Sequence, residues 1–190
     1  MAQAKGKGCG SAIGCVVVLG VLGFAGWKYY PQIHGYLRGQ SAPVDWGMAH
    51  DGDAMRVRVL SAAMELTEIE DVLGSREANE DLHVTLEITN LGDTPVVYKT
   101  PRLLRASEPK LSDDKGRTMP QASYGDDARI QGQLAHAQEI APHDKETHVL
   151  VFKRPPSDAT SFLLTVDLGM FGRRGVAQFR IPAEKVRGLR

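Results

Sequence analysis

Residues 8–27, GCGSAIGCVVVLGVLGFAGW, form a run of twenty without a charged side chain, with Lys5 and Lys7 before it and Lys28 after it. At about 1.5 Å per residue a helix of this length spans about 30 Å, the thickness of a bilayer's hydrocarbon core. The run is expected to be a single membrane anchor, which removes the amino-terminal part of the chain from any water-soluble core. Trp27, Tyr29 and Tyr30 suit the amphipathic belt at the lipid boundary, and Lys28 can snorkel among headgroups.

The competing readings of this run are weaker. A cleaved signal peptide needs a shorter apolar centre and small residues at the cut, and Gly23-Phe24-Ala25-Gly26 matches that only loosely. A bacterial lipoprotein carries its lipidated cysteine after the apolar run, whereas Cys15 precedes most of it. The expected organisation is a cytoplasmic tail over residues 1–7, an anchor over 8–30, a linker over 31–43 and a domain over 44–190. Two lysines and the amino terminus stand on the near flank against Lys28 and Arg38 on the far one, a slight bias towards an inside amino terminus and an extracytoplasmic domain. Gly6, Gly10 and Gly14 repeat every four residues and offer a face along which two anchors can pack, so a homo-oligomer is one expectation.

The formal net charge of zero conceals an asymmetry. Residues 1–40 hold four of the 23 basic residues and no acid, which leaves 19 basic against 23 acidic residues beyond them. A mildly acidic domain without a Lys/Arg cluster lacks the footprint of a phosphate-backbone binder, so no nucleic-acid partner is expected. Both cysteines, Cys9 and Cys15, lie in the apolar run, so packing rather than disulfides has to stabilise the domain.

Within the domain, hydrophobicity alternates with the period of a strand. Met55, Val57 and Val59 alternate with Arg56 and Arg58, and Leu82, Val84, Leu86 and Ile88 alternate with His83, Thr85, Glu87 and Thr89. Asn90-Leu91-Gly92-Asp93-Thr94-Pro95 supplies turn residues before Val96-Val97-Tyr98, which predicts a hairpin. A second hairpin is expected where Arg102-Leu103-Leu104-Arg105 and Thr118-Met119 flank the turn-rich stretch 112–116. Residues 147–152, 162–166 and 176–181 complete about seven strands, with 121–138 left as a loop or one short helix. Short strands without amphipathic helices between them predict an all-β antiparallel sandwich.

The segments HVTLEITNLGDTPVV, LSDDKGRTM and IAPHDKETHVLVFKRPPSDATSFLLTVDL resemble the uncharacterised immunoglobulin-like extracytoplasmic domains that bacteria attach to an N-terminal anchor. The resemblance runs from about Met55 to Ile181. It is carried by the turn at Asn90, the Asp114-Lys115-Gly116 hairpin and the stretch from Pro142 to Pro155, with His143-Asp144 standing where a Pro-Gly turn is usual. It implies an immunoglobulin-like sandwich on the outer side of a cell membrane. That family has no established catalytic residues to carry over.

Chemistry is sparse. His143, Asp144, Glu146 and His148 are the best metal candidates, but only Glu146 and His148 share a strand face, and a third ligand is not nominated. The acidic pairs Asp51/Asp53, Asp113/Asp114 and Asp126/Asp127 lack the ligand spacing of a calcium loop. No serine sits in a nucleophile elbow, and the glycine-rich stretch 169–175 leads into a strand rather than a phosphate-cradling helix. That stretch nevertheless places Met170 and Phe171 beside Arg173 and Arg174 on a hairpin tip, an apolar-plus-arginine composition suited to partner binding. The expectation is a non-enzymatic module without cofactor or metal, held by lipid through its anchor and binding a protein or cell-envelope component. The alternatives are a metal-dependent hydrolase built from His/Asp loops and an assembly subunit packed through its glycines.

Overall fold

The computed structural model describes residues 42–70, 76–99, 108–122 and 130–189, with the side chains of 68–70, 76 and 77 left aside. The expected anchor, its Gly6, Gly10 and Gly14 face, most of the linker, Arg102 to Arg105 and Asp126-Asp127 lie outside the described residues. Among those described, no helix is long and apolar enough to cross a membrane.

The described chain is all-β. One sheet has five strands in the order β1 (Val44–Asp45), β11 (Val176–Pro182), β10 (Ser161–Asp167), β6 (Lys110–Asp113) and β7 (Thr118–Met119). A second has four, in the order β2 (Ala49–Gly52), β3 (Met55–Glu70), β4 (Arg76–Asn90) and β9 (Lys145–Phe152). β5 (Val96–Val97) and β8 (Glu139–Ile140) pair with each other. Where about seven strands were expected, the described residues form eleven, several only two residues long.

Alternation decides which face of each sheet is inside. Leu82, Val84, Leu86 and Ile88 of β4 are at most 1 % exposed, and they share one apolar cluster with Phe162, Leu164 and Val166 of β10 and Phe179 of β11. The two sheets therefore bury their inner faces against each other as a β-sandwich. Each fully buried Leu or Phe side chain contributes about 2 kcal/mol of transfer free energy. Among the described strands the pairing is antiparallel except at one edge, where β1 runs parallel to β11 with Val44 opposite Phe179.

Two expected pairings change. Val96-Val97 does not fold back on β4: β4 is already flanked by β3 and β9, so the chain leaves the sheet after Asn90 and β5 takes β8 as its partner. The second hairpin is tighter than expected, because β6 itself ends at Asp113 and pairs with Thr118-Met119. Asp113 fixes that turn: its Oδ1 accepts from the backbone N–H of Lys115 and Arg117, and its Oδ2 accepts from Arg117 Nε at 2.5 Å. Burial works to raise the Asp113 pKa, but the hydrogen bonds from Arg117 and Lys115 outweigh it and hold the carboxyl low. Arg117 also reaches Asp158 Oδ1 at 2.6 Å, and Asp114 accepts from Thr160 Oγ1 at 2.9 Å, so this hairpin is tied to the chain entering β10.

The stretch expected to hold a loop or short helix is a loop in its described part, with turns at 131–132 and 136–137. Gly132 is held at φ +84 while its carbonyl accepts from Val149 N at 3.0 Å, and a Cβ there would lie 2.7 Å from Val149 Cγ2. Gly132→Ala is expected to cost about 1.5 kcal/mol from the positive φ and the clash together. Urea midpoints check this, with Gly132→Ala in a Val149→Ala background losing less than the sum of the two single changes.

Candidate functional site

Four connections meet at one end of the sandwich: the β2–β3 turn at Asp53-Ala54, residues 91–95 after β4, residues 141–144 before β9, and residues 168–175 between β10 and β11. Asn90 pins two of them. It continues the inward phase of Leu82 through Ile88, is fully buried, and donates from Nδ2 towards the carbonyls of Thr94 (2.8 Å), Ile140 (3.2 Å) and Ala141 (3.2 Å). Its Oδ1 accepts from Gly92 N at 3.0 Å. Its backbone N–H donates to Asp144 O, and the next N–H, of Leu91, donates to Ala54 O.

The 168–175 connection opens as a 3-10 turn over Leu168–Phe171, capped by Asp167, whose Oδ1 accepts from Gly169 N at 2.7 Å, and closed by Gly172 at φ 68. That geometry turns Met170 and Phe171 inward, 0 % and 2 % exposed, within the apolar cluster. Phe171 lies 5.7 Å from the Tyr98 ring, and Met170 O accepts from Lys99 N at 2.7 Å. The apolar half of the expected surface loop is therefore part of the core. What remains outside is its basic half, a half-buried Arg173 and an exposed Arg174.

These two arginines differ from their counterparts. Arg56 pairs with Asp51, Arg58 with Glu87, Arg117 with Asp113 and Asp158, Arg154 with Glu80, Arg180 with Asp45 and Arg187 with Glu65. Arg173 and Arg174 are the exceptions among arginines with described side chains. The Nε of Arg173 is buried without a hydrogen-bond partner, and the guanidinium lies over Gly92, where a Cβ would come within 3.2 Å of Nη2. The neighbouring carboxylate does not neutralise the pair through a side-chain contact, because Asp53 Oδ2 accepts from the backbone N–H of Arg174 at 2.7 Å. The planar donor fork of a guanidinium suits carboxylate or phosphate oxygens.

The expected histidine cluster does not converge. His143, at φ 60 in the turn before β9, is exposed and lies 3.2 Å from Asp93, while Asp144 Oδ1 accepts from Lys145 N. His148 points the other way, into the interior in phase with Leu150 and Phe152, and is 3 % exposed. Its Nδ1 accepts from Leu134 N at 3.1 Å, which places the proton of the neutral ring on Nε2, 3.3 Å from Tyr98 Oη. Burial pushes the His148 pKa down to about 4 and the Tyr98 pKa up to about 12. Among the described residues no group of three or more His, Cys, Asp or Glu is arranged to hold a metal ion.

A third arrangement escaped sequence reading altogether. On the outer face of β3 and β4, Thr67 Oγ1 lies 2.7 Å from His83 Nε2, and His83 Nδ1 lies 3.6 Å from Glu65 Oε2. The order hydroxyl, imidazole, carboxylate is that of a nucleophilic relay. Thr67, however, is only 4 % exposed, and the imidazole–carboxylate separation exceeds hydrogen-bond length, so the hydroxyl is closed to a substrate. Nearby Asp81 is 1 % exposed, with Oδ1 3.5 Å from Lys153 Nζ and Oδ2 without a hydrogen-bond partner.

No protein-family model matches the sequence, and no curated protein matches it significantly. Solved structures with a similar course include the yjhA protein of Bacillus subtilis, at 10 % identity over 72 % of this chain and 98 % of that one with a TM-score of 0.48. An uncharacterised β-sandwich protein of Clostridium difficile matches at 8 % identity over 74 % of this chain and 95 % of its own, with a TM-score of 0.42. The ycdA protein of Bacillus subtilis, described as a candidate lipoprotein, matches 72 % of this chain but 38 % of its own length, at 14 % identity and a TM-score of 0.47.

Proposed function

We propose that this chain is a single-pass membrane protein that holds an immunoglobulin-like sandwich outside the cytoplasm as a non-enzymatic binding module, with the Arg173–Arg174 loop as its interaction site. The observation that carries the binding reading is that Arg173 and Arg174, unlike the other arginines with described side chains, make no ion pair among the described residues, on a loop whose Met170 and Phe171 are sunk in the core. A rigid scaffold presenting unspent donors on a loop is the arrangement of a recognition site. The anchor reading rests on the uncharged run at residues 8–27.

Proximity labelling from the carboxyl terminus of the full chain in intact cells tests both parts. Extracytoplasmic neighbours are expected, and Arg173→Ala with Arg174→Ala is expected to thin the labelled set while leaving the amount of folded chain unchanged. Labelling confined to cytoplasmic proteins would overturn the address, and an unchanged set in the double variant would overturn the site.

A further inference from the structure

We infer that residues 133–136 form a proton-operated latch: the neutral His148 ring holds them closed, and uptake of a proton by that ring lifts them off its site while the two sheets stay folded.

The loop is tied down at each end and gripped from below in the middle. Gly132, at φ +84, is held through its carbonyl, which accepts from Val149 N at 3.0 Å. At the other end Ala137, at φ 61, donates to Tyr98 O at 3.0 Å, and Gln138 O accepts from Tyr98 N at 2.8 Å. Between these ties Leu134 is buried in the apolar cluster, while Gln133 is half-buried and Ala135 and His136 are exposed. The N–H groups of Gln133 and Ala135 are satisfied within the loop, by Ile130 O and Gln138 Oε1. The Leu134 N–H reaches out of the loop instead, to His148 Nδ1 at 3.1 Å. The left-handed backbone at Ala137 is a strain that the closed loop carries and that opening relaxes.

Protonation inverts the grip. A neutral imidazole has one acceptor nitrogen, and an imidazolium has none. A proton on Nδ1 would face the Leu134 N–H and leave two buried donors opposed, with Nε2–H already directed at Tyr98 Oη, 3.3 Å away. Among the described residues no ion pair forms with this ring: it meets Leu134 of the loop, the Tyr98 phenol and, opposite it in the pairing with β4, Leu86. Glu146 stands two residues earlier in the same phase of β9, half-buried opposite Ile88, and Lys99, His136 and Glu139 are exposed. Burial holds the closed ring's pKa at about 4, whereas a hydrated ring titrates near the ordinary 6.5. Between those values a proton therefore favours the open loop. Lifting this short segment exposes far less apolar surface than separating the sheets, so the loop opens first.

The test is hydrogen–deuterium exchange of the full chain in mild detergent, read by mass spectrometry on peptides covering 130–138 and, as the reference for global unfolding, 161–167 of β10. After correction for intrinsic exchange, the loop peptide is expected to exchange about twentyfold faster at pH 5 than at pH 7, as a ring that titrates near 6.5 when open and about 4 when closed requires. The β10 peptide is expected to remain far more protected than the loop at both pH values. A loop that exchanges no faster at pH 5, or that opens only together with β10, would overturn the latch. His148→Asn keeps an acceptor towards Leu134 N and takes up no proton, so most of the acceleration is expected to vanish; an undiminished rise in this variant would overturn the inference. His136→Gln changes an exposed position on the loop and leaves the core untouched. It is expected to keep the rise, and losing the rise there would assign the switch to His136 and overturn the inference.

Discussion

Asn90→Ala is expected to lower the unfolding free energy by about 3 kcal/mol, because it strips a partner from four backbone groups at once and leaves a fully buried site empty. The Asn90 amide is the hydrogen-bond donor that Thr94 O, Ile140 O and Ala141 O share, and its Oδ1 is the acceptor for Gly92 N. Alanine cannot donate or accept, and a fully buried site leaves little room for water to substitute. Asn90→Asp is expected to cost more than Asn90→Ala at neutral pH although it is nearly isosteric. It would keep the acceptor for Gly92 but set a carboxylate against three carbonyl oxygens. Urea denaturation of the full chain in detergent, followed by far-ultraviolet circular dichroism, measures both. Should the aspartate variant prove the more stable of the two, the donor role assigned to Nδ2 would be wrong.

Asn90 also shows where sequence reading stopped short. The alternation from Leu82 to Ile88 reaches Asn90 in one further step of two, so the same periodicity that marks the core marks this asparagine as inward-facing. Its residue type reads as a turn, and it is both: the last inward position of β4 and the hub of the loops beyond it. His148 follows the same rule, standing two residues before Leu150 and four before Phe152 on the buried face of β9. A period-two reading extended through polar residues would have separated it from the exposed His143.

Other features were not legible for definite physical reasons. β3 was visible only from Met55 to Val59 because a bulge between Val59 and Ser61 breaks the register, leaving Leu60 and Ser61 both exposed before Ala62 turns inward again. Strict alternation cannot survive an inserted residue. The partner of Val96-Val97 was hidden for a different reason: β9, about fifty residues later in the chain, fills the flank of β4 that a hairpin would have used. Met170 and Phe171 were placed on the surface by the glycines around them, whereas the Asp167 cap and the left-handed Gly172 shape a turn that drives both inward. The arginines could be named from the sequence, but that their side chains make no ion pair among the described residues shows only once six other arginines are seen to find theirs.

Below about pH 6.5 the domain is expected to lose stability in a window set by His148. Its imidazole pKa is lowered from the ordinary 6.5 to about 4 by burial. Between those values the unfolded chain binds a proton that the folded chain refuses, so stability is complete above the upper value and falls as pH drops towards the lower one. The slope is about 1.4 kcal/mol per pH unit and the total loss about 3 kcal/mol. The geometry states the cause: a second ring proton would sit on Nδ1, pointing at the N–H of Leu134, in a site walled by the Tyr98 ring at 4.9 Å. The carboxylates held low by their partners, Asp51, Asp113, Asp114 and Asp158, add their own losses at more acid pH, below the ordinary carboxylate range. His50, also lowered by burial, contributes in the same direction as His148, so the comparison has to be made by substitution. His148→Asn keeps an acceptor near the position of Nδ1 and cannot be protonated. It is expected to start less stable at pH 7.5 through lost contact with Tyr98, yet to show a shallower fall between pH 6.5 and 4 than the parent chain. Urea midpoints at half-unit pH steps measure this, and parallel curves for the two chains would exclude His148 as the source of the acid sensitivity.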